Sequence, residues 1–330
     1  MQRCVLNTVL LSGVILACSE FGRAADVLNR GCSSLVPQNI AEAAPGGIVA
    51  LDRAFSAMYN LEFTKADSEL AQFIEQHPED PLGPVARAAS VLFSIFDQHR
   101  VLQTEFFTSD DHFNKRQRIV PDAVARQRFD TALHRAQQLA TQSLARNASD
   151  ESALFALTLV YGLRADYASV LDHQDLAALR FSKKGNEWAR KLLATSPQFY
   201  DAYVATGIQK YLVGLKPAPV RWMLRMGGIK GDRDEGLREL ELAAAKGHYL
   251  APFARILLAI AYLRKHDQTA AIELLANLRK QFPKNPLFAE ELARFGQVDC
   301  RDSKQRHTVN TRDFLGRMGV FGRTKKETEQ

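Results

Sequence analysis

The sequence predicts an all-α chain, and three observations carry that prediction. Ala, Leu, Arg, Gln and Glu, all strong helix formers, dominate a 330-residue chain that is 46% hydrophobic. The period-two alternation that a half-buried strand needs is scarce. Apolar residues instead recur three and four apart in segments of helix length that stop at Pro or Gly, as in "HDQTAAIELLANLRKQFPKNP" from His266 to Pro286. There Ala271, Leu275 and Leu278 form one stripe, and Pro283 ends the helix because it has no N–H for the ladder.

Taken in order, the chain opens on Arg3 and an apolar run from Val5 to Ala17. The run is about 13 residues, against the roughly 20 that span a bilayer. Gly22-Arg23-Ala24 then offers a small-x-small cleavage site, so residues 1–24 read as a signal peptide with the mature chain starting at Ala25. Ile15-Leu16-Ala17-Cys18 also resembles a bacterial lipoprotein box, in which Cys18 would carry lipid. The expectation is export, periplasmic or secreted, with a lipid anchor at Cys18 as the second form. No other segment reads as apolar enough to span. Residues 25–47 are Ala-, Gly- and Pro-rich and read as a lead-in segment.

From residue 48 to 296 the chain reads as one helical repeat domain. Leu258, Ala259 and Tyr262 mark a helix before the stripe quoted above, and the small residues Ala259 and Ala271 allow close antiparallel approach. Phe63, Ala66, Leu70 and Phe73 lead to Pro78 in the same way. Leu192 precedes Pro197 by five residues, as Phe73 precedes Pro78 and Leu278 precedes Pro283. Tyr203, Gly207 and Tyr211 open a further pair whose second helix carries Gly236, Leu240 and Ala243. Gly236 lies 35 residues before Ala271. Weaker copies cover 82–146 and 150–195, the latter with Leu157 and Tyr161, and "NPLFAEELARFG" reads as a partial cap.

This pattern closely resembles the tetratricopeptide repeat, whose period is about 34 residues. Arg255 stands where the family has an aromatic residue. The resemblance covers about two thirds of the chain and implies a right-handed superhelical solenoid of about five helix pairs, between residues 48 and 282, that folds as one domain. It also implies a concave face, lined by the first helix of each pair, that holds a peptide or helix. Carried onto this sequence, the inward positions are Asp201, Val204, Ile208 and Tyr211, then Phe253, Ile256, Ile260 and Leu263, with Phe155 and Leu159 from the weaker copy before them. An apolar surface of that extent needs an occupant: a partner protein, or the lead-in or C-terminal segment folded back. Apolar anchors would give affinity, and the Asp201 carboxylate and Tyr211 hydroxyl orientation.

Two insertions break the repeat. Residues 105–121 carry "EFFTSDDHFNKRQRIVP". Residues 215–231 start on Pro217 and Pro219 and end on Gly227-Gly228, with Arg221 and Arg225 one helical turn apart beside Trp222 and Met226. That composition predicts a short amphipathic helix that either packs Trp222 on a neighbouring repeat or contacts a partner or an anionic membrane surface.

The net charge of +6 is concentrated at the ends. The basic tail spans residues 297–330, and from Arg301 onward it holds eight Lys/Arg against four acids, which leaves the body near neutral and gives no expectation of nucleic-acid binding. Of four cysteines, Cys4 and Cys18 lie in the signal, so cleavage after Ala24 leaves Cys32 and Cys300 as a possible disulfide. Phosphate-loop, zinc-protease and nucleophile-elbow motifs are absent from the sequence. Asp110-Asp111-His112 and Asp172 to Asp175 are the nearest approaches to a metal cluster, and both read as solvated turns. The expectation is a non-enzymatic interaction scaffold without cofactor or metal, or alternatively a membrane-associated lipoprotein adaptor in envelope assembly or transport.

Overall fold

The computed structural model describes residues 46–102 and 119–295. The signal, most of the lead-in, the tail, all four cysteines and residues 103–118 with Asp110–His112 lie outside the described residues.

Among the described residues the chain is helical, with no strand. The helices are α1 (Gly46–Tyr59), α2 (Phe63–Gln76), α3 (Leu82–Gln98), α4 (Ala123–Arg146), α5 (Glu151–Asp166), α6 (Asp175–Thr195), α7 (Tyr203–Gly214), α8 (Ala218–Met226), α9 (Arg233–Lys246), α10 (Ala251–Arg264) and α11 (Gln268–Gln281). A last helix, α12, covers 286–295. A buried π turn, Tyr167–Leu171, extends α5, and Tyr167 stacks on Phe129 of α4. Helices pair in chain order: α1 with α2, α3 with α4, α5 with α6, α7 with α9, and α10 with α11. Each pair lies on the next through α2–α3, α4–α5, α6–α7 and α9–α10.

One connector recurs between pairs, and its chemistry is local. His77, Ser196 and Phe282, each just before a Pro, adopt almost one conformation, with φ/ψ of −130/67, −136/77 and −125/70. A residue before Pro is driven out of the helical region. Each still donates its N–H to the carbonyl four residues back, on Phe73, Leu192 and Leu278. These are the three apolar residues that stand five before a Pro. The chain then turns, with N–H donations from Asp80 to His77, Asp150 to Asn147, Phe199 to Ser196 and Asn285 to Phe282. Asp80, Asp150 and Asn285 next accept from the first turn of the following helix, at Leu82, Ala153 and Leu287.

Within pairs, small residues set the spacing. A Cβ on Gly236 would sit 2.4 Å from the Tyr211 nitrogen, so α7 and α9 pack backbone to backbone there. Gly207 faces the same contact, and Ala259 and Ala271 are buried in the fifth pair. Arg255, which stands where the sequence resemblance has an aromatic residue, bridges instead: it donates to the Ala244 carbonyl at 3.1 Å and to Gln281 at 2.8 Å.

The curve of the stack brings its ends together. Tyr59 at the end of α1 donates its hydroxyl to the Tyr249 carbonyl at 2.9 Å, and Asn285 donates its side-chain amide to the Tyr59 carbonyl at 2.9 Å. Phe55 stacks on Tyr249 at 4.7 Å between ring centroids, and Tyr59 meets Phe282 at 5.1 Å. The Lys284 backbone N–H reaches Asn60 at 3.1 Å, and its ammonium reaches Glu62 at 2.6 Å.

One sequence reading needs correction. The stretch Glu151–Leu171 is long and apolar enough to cross a membrane by composition, with mean hydropathy 1.3. Its apolarity is that of a core helix: 72% of the window is buried inside the fold, between α3, α4 and α6.

Candidate functional site

The ten residues expected to line the concave face lie on α5, on α7 with the turn before it, and on α10. The structure divides the ten expected contact residues into two groups. Phe155, Asp201, Val204 and Tyr211 are buried, and Leu159, Ile208, Phe253, Ile256, Ile260 and Leu263 are half-buried. Phe155 packs against Phe199, with ring centroids 4.9 Å apart, in a cluster that Tyr249 and Leu250 cover. Val204 and Tyr211 belong to the core between α7, α9 and α10. Ile208 and Phe253 border that same core, and Phe253 meets Phe93 of α3 edge-on at 6.2 Å. Ile256 and Leu263 turn toward α11 and α12.

Asp201 has a different task from the partner contact expected of it. The junction before α10, Gly247 to Leu250, lacks the local Asp or Asn that caps the helix after other connectors. Asp201, in the short 3-10 turn Tyr200–Ala202, supplies the carboxylate from a distance. One oxygen accepts from the His248 and Tyr249 N–H groups at 3.1 and 3.3 Å, and the other from Leu250 at 2.8 Å. Burial pushes its carboxyl above the usual range, and these three N–H donors pull the other way. The loop so held is the one that meets α1: Tyr249 stacks on Phe55, and the His248 ring nitrogen lies 2.7 Å from Asp52. Both of its oxygens are thus committed to the fold.

The residues that join α1 to the 248–250 loop, Phe55, Tyr59, His248 and Tyr249, are absent from the residues expected from the sequence. One signal was present. Leu51, Ala54, Phe55, Ala57 and Met58 spread apolar residues around more of α1 than a terminal helix with one neighbour needs. Two further carboxylates stand at the ends of α3 and α5. Asp166 ends α5 on the stripe of Leu159 and Gly162, and burial raises its carboxyl to about 7; burial also raises Asp97 at the end of α3.

The second surface is α8, formed as its punctuation predicts. Pro217 stands at the N-cap, Pro219 in the first turn, and Gly227 at the C-cap. Gly228 takes the left-handed φ of 80° that lets Ile229 donate back to the Leu224 carbonyl. Leu224 alone is buried, against Val213 and Ile229 with Leu179 and Val220 beside them. Trp222 is 67% exposed, so it does not pack on a neighbouring repeat, and Met226 is 73% exposed. Arg221 and Arg225 are exposed on the adjoining stripe.

Among the described residues no group of three His, Cys, Asp or Glu side chains is placed to hold a metal. Asp172 to Asp175 form the bend between the π turn and α6, with His173 at φ 55°. The expected Cys32–Cys300 bridge lies outside the described residues. No protein-family model matches the chain, and neither the curated proteins nor the solved structures include a significant match. The fold class these residues define is therefore a stack of helical hairpins, argued from its own geometry.

Proposed function

We propose that the chain is a right-handed superhelix of the tetratricopeptide type that serves, after export, as a non-enzymatic scaffold for another protein. The carrying observation is the row of six half-buried apolar side chains on three successive inner helices: Leu159, Ile208, Phe253, Ile256, Ile260 and Leu263. Leu159, Ile208, Phe253, Ile256 and Leu263 each pack against a buried cluster, which preorganises most of the row. A partner segment would lay apolar side chains along it, and helix-groove recognition supplies affinity in that way.

The test is affinity capture from the exporting compartment with wild-type protein and with Ile208→Asp/Ile260→Asp. The double variant, shown to be folded by circular dichroism, should lose the proteins that the wild type retains. Retention of the same set by the folded variant would refute the groove. The lipid-anchored adaptor is the second reading, and the exposure of Trp222 favours it.

A further inference from the structure

We infer that α8 is an interfacial helix that docks the protein onto an anionic phospholipid surface, a role separate from the inner groove. The argument starts from how little holds α8 down. Of its nine residues only Leu224 is buried, with Val220 half-buried beside it. At about 100° per residue these two define the inward side. Trp222, Met226, Pro219 and Met223 then fill an arc of about 100° on the side away from the protein. Trp222, Met223 and Met226 are 67%, 43% and 73% exposed, so the arc is open to solvent along the whole helix.

Charge decides the kind of occupant. Arg221 and Arg225 form the stripe between the anchored side and the apolar arc, and α8 contains no acidic residue. Lys230 follows in the exit loop. The cationic flank continues on α6: Lys183 donates to the Gly227 carbonyl at 3.0 Å, and Arg180 is one turn before it. Among the described residues Arg180, Arg221, Arg225 and Lys230 take part in no ion pair. Cations left unpaired beside an apolar arc match a negatively charged surface with an apolar layer beneath.

Shape separates a bilayer from a protein groove. Helix α8 is a convex feature carried between α7 and α9, about 14 Å long, far too short to span but suited to lying in the plane of the headgroups. Tryptophan at the boundary between the cationic stripe and the apolar arc is where an amphipathic ring sits at a lipid interface. Met223 and Met226 would enter below the headgroups, and Arg221 and Arg225 would reach the phosphates.

The experiment makes Trp222 report on itself. Trp188 is the only other tryptophan, and its indole N–H is buried without a partner, so Trp188→Phe removes an unmet donor and leaves a single emitter. Full-length Trp188→Phe protein is titrated with vesicles of phosphatidylcholine alone and of phosphatidylcholine with 30% phosphatidylglycerol. The Trp222 emission should shift to the blue and be quenched by acyl-brominated lipid only with the anionic vesicles. Arg221→Ala/Arg225→Ala in this background should weaken that partition about thirtyfold, at the usual contribution of each cation near a charged surface. Emission unmoved by anionic vesicles, in protein that circular dichroism shows to be folded, overturns the inference. So does an equal response to neutral vesicles. A blue shift that grows with protein concentration without lipid assigns the arc to a second copy of the chain and also overturns it. Because Trp222 reports only on α8, none of these results bears on the groove.

Discussion

Two regions of this molecule carry the same kinds of residue and meet opposite fates. At the junction of the first and fifth pairs, Phe55, Tyr59 and Tyr249 are covered by one another and by Phe282, and the polar groups around them are paired. On α8, Trp222, Met223 and Met226 face water, and the arginines beside them pair with nothing among the described residues. Residue type does not distinguish the two. The curvature of the stack does, since it returns the fifth pair to the first and leaves the insertion outside. Among the described residues nothing covers the apolar arc of α8, and that open arc is what the vesicle titration tests.

The largest effect should come from the residue that holds the closed region in place. Asp201→Ala leaves the N–H groups of His248, Tyr249 and Leu250 without their acceptor. With part of the loop open to water, the expected loss is about 3 kcal/mol of stability, near the upper range for one lost polar partner. Amide exchange at 248–250 and in α1 should accelerate together, because the loop is what α1 packs against. Exchange confined to the loop would show that α1 stays docked without it, and the closure would then not depend on Asp201.

That residue also marks how far the sequence could be read. The helix stops at Pro78, Pro197 and Pro283, the close pair Gly207–Gly236, and the start and end of α8 were all legible, because each follows from local sterics or from a missing N–H. Helix existence and pairing order came from the same source. The closure was not legible. It joins Tyr59 to Tyr249 and Asn60 to Lys284 across most of the domain, and no local pattern encodes a contact that depends on accumulated curvature. Asp201 was placed on the inner face because its repeat position points there. Its use as a remote cap depends on the junction before α10 lacking a cap of its own, a fact spread over two segments. Arg255 shows the converse: a departure from the family pattern that the structure fills with two hydrogen bonds.

A smaller effect tests the difference in how the two regions treat charge. The cations of α8 are exposed, whereas Asp166 at the end of α5 is half-buried, and desolvation raises its carboxyl from 3.8 to about 7. The folded form thus binds this proton more tightly than the unfolded chain. The associated stability is complete below about pH 4 and fades as pH rises through 7. Asp166→Asn keeps a neutral group of the same size. It should leave the melting temperature at pH 4 unchanged and stabilise at pH 8 by on the order of 2 kcal/mol, a value reduced from the full shift because the side chain retains some solvent contact. Melts at the two pH values that move in parallel would show that the charge is solvated like those of α8.

The smallest effect is expected from truncating Trp222, and Tyr249, a part-exposed aromatic of the closed junction, is its control. Trp222 and Tyr249 are both large, and truncating either removes a similar apolar body. Tyr249 stacks on Phe55 and borders two core clusters, so Tyr249→Ala opens the closed junction and should cost about 3 kcal/mol. Trp222 is 67% exposed and is not part of the cluster beneath α8, so Trp222→Ala should change stability by less than about 0.5 kcal/mol. Alanine is also the better helix former, which acts in the same direction. Paired urea melts of the two variants measure the contrast directly. If Trp222→Ala proves as costly as Tyr249→Ala, then α8 is fastened to the protein through its tryptophan, and its arc is part of the core. If the cost is small, folding supplies no reason for a tryptophan at this exposed position, and the vesicle titration is the place to look for one.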